Sequence, residues 1–207
     1  MTPQDIEALF TRSDGGFVFA RWGRPIAPVV FGVDDATLAV IKRAVEATCL
    51  LVKQPIVETD PELGSNLMMF FFRDWAELGG VPGLDRLVPD MGPLVEKLQA
   101  VDANQYRLFR FDEAGAIKAC FVFLRMDAKL SAIPAQALAL SQTVQSFLLW
   151  SDMAFRDASP LALHDGNTLL RPDIADLLRA AYDPVLPAAA QDTSHALRLY
   201  ARIGGTS

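Results

Sequence analysis

Histidine is nearly absent from this chain: His164 and His195 are the only two. A zinc-peptidase helix of the His-Glu-x-x-His type needs histidines at i and i+4. Both rings then leave one helix face toward a metal whose bound water the Glu activates. Positions 164 and 195 cannot form that pair. Cysteine is as scarce, with Cys49 and Cys120 far from each other and from either histidine, so no zinc-ligand spacing exists. The chain also lacks a Gly-x-Ser-x-Gly nucleophile elbow, a Walker loop and a Gly-x-Gly-x-x-Gly fingerprint. Each of those chemistries needs its groups, so hydrolase, nucleotide-phosphate and dinucleotide classes fall away. No metal and no cofactor are expected.

Positive charge is thin. Nineteen Lys and Arg stand against twenty-five Asp and Glu, for a net charge of −6, and no three basic residues are consecutive. A duplex-binding surface needs Lys and Arg clustered to neutralise phosphates, so nucleic acid is excluded as a partner. The first residues, Met1-Thr2-Pro3-Gln4-Asp5-Ile6-Glu7, show neither the basic nor the apolar region of a signal peptide, and a cytoplasmic location is expected. The longest uncharged stretch, Leu130 to Ser151, has the length of a membrane span. It carries Ser131, Pro134, Gln136, Ser141, Gln142, Thr143, Gln145 and Ser146, too many polar groups to face lipid. It reads as a buried helix of a soluble protein without a membrane span. Cys49 and Cys120 lie in apolar surroundings and read as buried free thiols that act as small hydrophobes.

What is present is an ordinary globular composition, 51% apolar and 21% charged. A chain of 207 residues fits one domain, which would bury roughly 70% of its unfolded surface. Thr2-Pro3 opens a short helix to about Phe10. Phe17–Ala20 and Ile26–Phe31 read as strands. Asp34 and Asp35 cap a helix to about Val52, with Leu38, Ile41, Val45, Cys49 and Val52 at helical spacing. The apolar run Leu67–Phe72 fits a strand covered on both faces. Between Asp74 and Ala100, Gly79-Gly80, Pro82-Gly83, Pro89 and Pro93 leave room for short helices only. Gln105–Phe111 and Ala116–Met126 flank a hairpin turn. Helices follow over Pro134–Trp150, over Arg171–Tyr182 and from Thr193 or Ser194 onward. The predicted class is α+β: a small mixed sheet, a central buried helix and a helical C-terminal third, in a single domain spanning residues 1–207.

The central helix holds the candidate cleft. Ser141 and Gln145 are one turn apart, Gln142 and Ser146 sit among large apolar residues, and Ser151 and Asp152 follow the helix end. A buried helix with a polar stripe must satisfy those groups, through a structural network or by lining a groove. Weaker candidates are His164 beside Asp165, read as a surface loop, and Asp165-Gly166-Asn167, read as a turn rather than a calcium loop. Trp22, Trp75 and Trp150 read as core.

Four segments carry a resemblance. They are Arg21-Trp22-Gly23-Arg24-Pro25-Ile26 with Gly32; Asn66 before an apolar strand; the helix with Ser141, Gln142, Gln145, Leu148, Ser151 and Asp152; and Ala154-Phe155 through Leu169 with Asp173, Leu177, Leu178 and Ala180-Ala181-Tyr182-Asp183-Pro184-Val185-Leu186. In these the chain resembles an uncharacterised proteobacterial family, often exported or described as lipoproteins, with a degenerate zincin-like, metallopeptidase-like fold. In that family the helix tends to read Glu-Glu-x-x-Gln-x-x-Gly-x-x-Asn-Asp. Here Ser141 and Gln142 replace the two Glu, and Leu148 replaces the Gly. The resemblance implies a zincin-like fold without metal ligands, with the helix as the floor of a cleft and an edge strand above it.

The first functional expectation is therefore a non-catalytic protein that binds a peptide or a small polar ligand at Ser141, Gln142, Gln145, Ser151 and Asp152. Two rivals stand beside it. One is an enzyme of unrecognised type using Asp152, His164 and Gln145. The other is a structural subunit whose apolar face is buried in a protein partner.

Overall fold

A computed structural model describes residues 1–203. Its first helix, α1 (Pro3–Phe10), starts where Thr2 and Asp5 exchange side-chain and backbone hydrogen bonds, a reciprocal cap with Pro3 in the first turn. Strand β1 (Phe19–Ala20) and strand β2 (Pro28–Phe31) follow. Helix α2 (Asp35–Val52) opens on Asp34, whose carboxylate accepts from Thr37 N at 2.7 Å. After strand β3 (Leu67–Phe72), the Gly and Pro punctuation leaves only a 3₁₀ turn (Trp75–Gly80), α3 (Leu84–Leu87) and α4 (Met91–Ala100). Strands β4 (Gln105–Phe111) and β5 (Ile117–Arg125) form the hairpin read from the sequence. Helix α5 (Ala128–Ser131) and helix α6 (Ala135–Phe147) come next. They are followed by β6 (Leu161–His164), β7 (Asn167–Leu170), α7 (Pro172–Ala181), β8 (Ala189–Ala190) and α8 (Ser194–Ile203).

The main sheet runs β2-β3-β5-β4. Strands β2, β3 and β5 are parallel, and β4 lies antiparallel at the edge. Side chains alternate across a strand, which explains why Leu67–Phe72 is apolar throughout. Leu67 and Met69, with Cys120, Val122 and Leu124 of β5, face one core that also takes in residues of α2, α6, α7 and α8. Met68, Phe70 and Phe72, with Phe121 and Phe123, face a second core closed by Trp75, Leu84, Val88 and Leu98. Each such side chain contributes roughly 1.5–3 kcal/mol when fully buried. The class is α+β, as the sequence indicates. No helix among the described residues is long and apolar enough to cross a membrane.

Two expectations need correction. The central helix starts after Pro134 as read but does not run on to Trp150, and the stretch from Leu130 to Ser151 is not one helix. The chain breaks between α5 and α6, where Pro134 takes the N-cap of α6. Helix α6 then ends at Phe147, because Leu148 turns extended and bridges to Arg21 while Leu149 N donates to Ala20 O at 2.9 Å. Leu148 and Ser151, which the resemblance places on the helix, therefore lie beyond it.

The C-terminal third is also not purely helical. β6 and β7 pair around Asp165-Gly166, both with positive φ (49° and 77°), the geometry of a two-residue hairpin turn. β8 pairs with β1 across most of the chain. Strands of two to four residues show too little alternation to stand out from loops.

Candidate functional site

The last carbonyls of a helix have no partner within it, and α6 ends without a glycine or a basic residue to serve them. Aromatic donors do so instead. Trp150 Nε1 donates to Val144 O at 3.1 Å, Trp22 Nε1 to Ser146 O at 2.9 Å, and the Tyr182 hydroxyl to Phe147 O at 2.8 Å. Trp22 and Phe147 are fully buried, and the Arg21 guanidinium sits 5.6 Å over the Tyr182 ring. Next to Trp22, Gly23 leaves room for Ala116, since a Cβ there would fall 2.7 Å from Ala116 Cβ. Three of the segments that carry the resemblance thus meet at the end of α6, where they hold its polar stripe in place.

That stripe faces strand β4. Gln105 and Arg107 share one face of β4, the face whose next member, Phe109, packs against the α6-side core. Gln142 is buried; its Nε2 donates to Gln105 Oε1 at 3.1 Å, and its Oε1 accepts from Arg107 Nη2. Gln142 was expected to offer its amide to a ligand, and here that amide is spent on β4. One turn on, Gln145 Nε2 donates to Ser141 Oγ at 2.9 Å, with both residues half-buried. Ser146 Oγ donates back to Gln142 O at 2.7 Å, while Thr143 Oγ1 is buried without a partner.

Ser151 is tied to the N-terminal segment: its Oγ donates to Thr11 O at 2.6 Å and its N–H to Leu9 O at 2.8 Å. Asp152 is exposed and accepts from Ser13 N at 2.9 Å. The Ser13 side chain and backbone, with Arg12 nearby, hold its carboxyl below the usual carboxylate range.

Between α6, the start of β4, the 151–160 loop and the β6–β7 hairpin lies a groove of about 850 Å³. Ser141, Gln142, Gln145, Ser151 and Asp152 all line it, together with Arg107 and the apolar Ile133, Leu138 and Phe155. Neither Leu148 nor Trp150 fills it. Leu148 is in the core, and Trp150 stacks on Phe10 at 5.4 Å. A second cavity of about 490 Å³ runs on toward Arg12 and Phe111 and shares Gln105, Arg107, Gln145 and Phe155 with the first.

His164 is not part of this set. It sits exposed at the hairpin tip, its Nε2 3.5 Å from Asp165 Oδ2, and does not line the groove. Asp152, His164 and Gln145 are therefore not brought together as a catalytic group. Asp165-Gly166-Asn167 is the hairpin turn, and Trp22 and Trp75 are buried core residues. Among the described residues no three His, Cys, Asp or Glu side chains converge as metal ligands. Comparison with family models, curated proteins and solved structures finds no match to this chain, so the groove's own chemistry carries the functional argument.

A serine nucleophile needs a base to take its proton, whereas Ser141 Oγ receives a hydrogen bond from an amide N–H. The charge at the floor is Arg107. Loss of solvent pushes its guanidinium down to about 10, so it stays a cation at neutral pH. Sequence reasoning missed Gln105 and Arg107. The signal was there: polar residues at 105 and 107 share the strand face of Phe109 and Phe111, where an edge strand packed on one side should be apolar.

Proposed function

We propose that the protein is a non-catalytic binding protein with a degenerate zincin-like fold, taking a peptide or a small polar ligand in the groove between α6 and β4. The observation that carries this reading is the convergence of Ser141, Gln145 and Arg107 on one open groove that the apolar Ile133, Leu138, Phe155 and Leu161 also line. Apolar walls with a few convergent polar groups are the usual composition of a ligand site. Two features support the peptide and the zincin-like form. β4 is an antiparallel edge strand, and Gln142 of α6 bonds directly to it. Arg125 N donates to Asn104 O at 2.9 Å. The antiparallel alternation then turns the backbone groups of Gln105, Arg107 and Phe109 outward. An extended peptide adds to such an edge through main-chain hydrogen bonds.

A thermal-shift screen of short peptides and small polar compounds, repeated on Ser141→Ala and Gln145→Ala, tests the reading. A ligand at a hundred times its Kd should add about 2.7 kcal/mol of stability, and both substitutions should reduce that gain. Ligands indifferent to both would place the site elsewhere. Peptide turnover abolished by either substitution would overturn the non-catalytic reading.

A further inference from the structure

Resting on that reading of the groove, we propose that its ligand presents a carboxylate to Arg107. The guanidinium is incompletely served. A guanidinium has five N–H donors, yet both hydrogen bonds of Arg107 leave from Nη2, one to Gln142 Oε1 and one to Gln105 Oε1 at 3.4 Å. Its Nε is sealed from solvent with no partner. Among the described residues Arg107 makes no ion pair, whereas Arg24, Arg125, Arg171 and Arg179 each pair with an Asp or Glu. A cation drawn out of water without a counter-charge is costly, and neighbouring amides offset only part of that cost.

The position of Arg107 shows where the missing charge belongs. It lines both cavities, among the residues they share, so an anion entering either one reaches it. The guanidinium fork matches the two oxygens of a carboxylate. Charge balance selects a monoanion over phosphate. The other charged residues on the main groove are Arg156, Asp152 and Asp157, all exposed. With Arg156 offsetting one of the two rim carboxylates, the single half-buried cation at the floor suits one negative charge better than a dianion. Beside Arg107, Gln145 keeps its carbonyl oxygen and Ser141 its O–H for a neighbouring polar group, while Leu138 and Ile133 offer apolar contact. A peptide C-terminus and a free monocarboxylic acid share this chemistry.

Calorimetric titration of the full chain distinguishes them. The probes are an N-acetylated tripeptide library with free C-terminal carboxylates, the same library as C-terminal amides, and a set of medium-chain monocarboxylates. The free-acid peptides should bind roughly tenfold or more tightly than their amides, the worth of a charge-assisted hydrogen bond. Arg107→Gln should lose that factor and Arg107→Lys should keep part of it. Monocarboxylates that match the peptides would assign the source to free acids and still support the carboxylate. Acid and amide binding alike, unchanged in Arg107→Gln but weakened by Ser141→Ala, would overturn the carboxylate and leave the groove standing. Failure of every probe to bind would overturn both. If Arg107→Gln does not fold, the acid-to-amide comparison on the unaltered chain decides.

Discussion

Lowering the pH from 7 to 5 should destabilise this protein through one residue, His195. It lies on α8 with 1% of its surface exposed, its ring 4.3 Å from that of Phe19, and neither ring nitrogen has a hydrogen-bond partner. Desolvation, with Arg198 and Arg21 adding to it, pushes its pKa down to about 4. The unfolded chain holds this group near 6.5, so below that pH the unfolded state binds a proton that the folded state refuses. Stability therefore rises with pH across the window between about 4 and 6.5, and falls on acidification. At pH 5 the loss relative to pH 7 amounts to about 2 kcal/mol. The carboxylates held low by their hydrogen bonds, Asp34, Asp60, Asp127 and Asp192 among them, contribute stability that is lost mainly below pH 5, as pH drops through their own lowered values. Urea unfolding at pH 7, 6 and 5 on the native chain and on His195→Phe separates the effects. The phenyl ring keeps the contact with Phe19 and removes the titration, so the variant should be nearly flat over this range. Equal losses in both proteins would refute the assignment.

Phe147 is fully buried beneath Tyr182, whose ring is 6.3 Å away. Phe147→Ala should cost roughly 3–5 kcal/mol in urea unfolding, and a loss under about 1 kcal/mol would mean that α6 is peripheral. Burial pushes the Cys49 thiol up to about 11 and the Cys120 thiol up to about 12. Both should resist a thiol reagent at neutral pH until the protein is denatured, and rapid native labelling of either would contradict the buried placement. Gly32 adopts φ +82°, and a Cβ there would fall 1.9 Å from the Phe71 carbonyl oxygen. Gly32→Ala should lower stability by about 3 kcal/mol or more in the same assay, and a variant as stable as the native chain would refute that contact.

The sequence was most readable where a local rule acts alone. The cap at Asp34 and the helical stripe from Leu38 placed α2, and the unbroken run Leu67–Phe72 placed β3. It was least readable where pairing is long-range, as with β1 and β8 or the bridge from Arg21 to Leu148 that stops α6. For the site, the polar stripe was visible as an anomaly on a buried helix. Its partner strand was visible only as Gln105 and Arg107 on an otherwise apolar face, a weak signal until β4 is known to pack against α6.

The amino-acid sequence by itself therefore determined the longer helices and strands, the α+β class and the absence of a His-Glu-x-x-His pair, because these depend on residue types and short spacings. Tertiary structure alone decided that Gln142 turns inward while Ser141 and Gln145 stay open to the groove. It also decided that His164 stands apart from Asp152, and that Arg107 lines the groove with its Nε sealed from solvent and no counter-charge among the described residues. The inward turn of Gln142 and the setting of Arg107 follow from the packing of a helix against a strand, which pairs side chains 35 residues apart in the chain, and side-chain partnership across that distance is set by the fold rather than by local propensity.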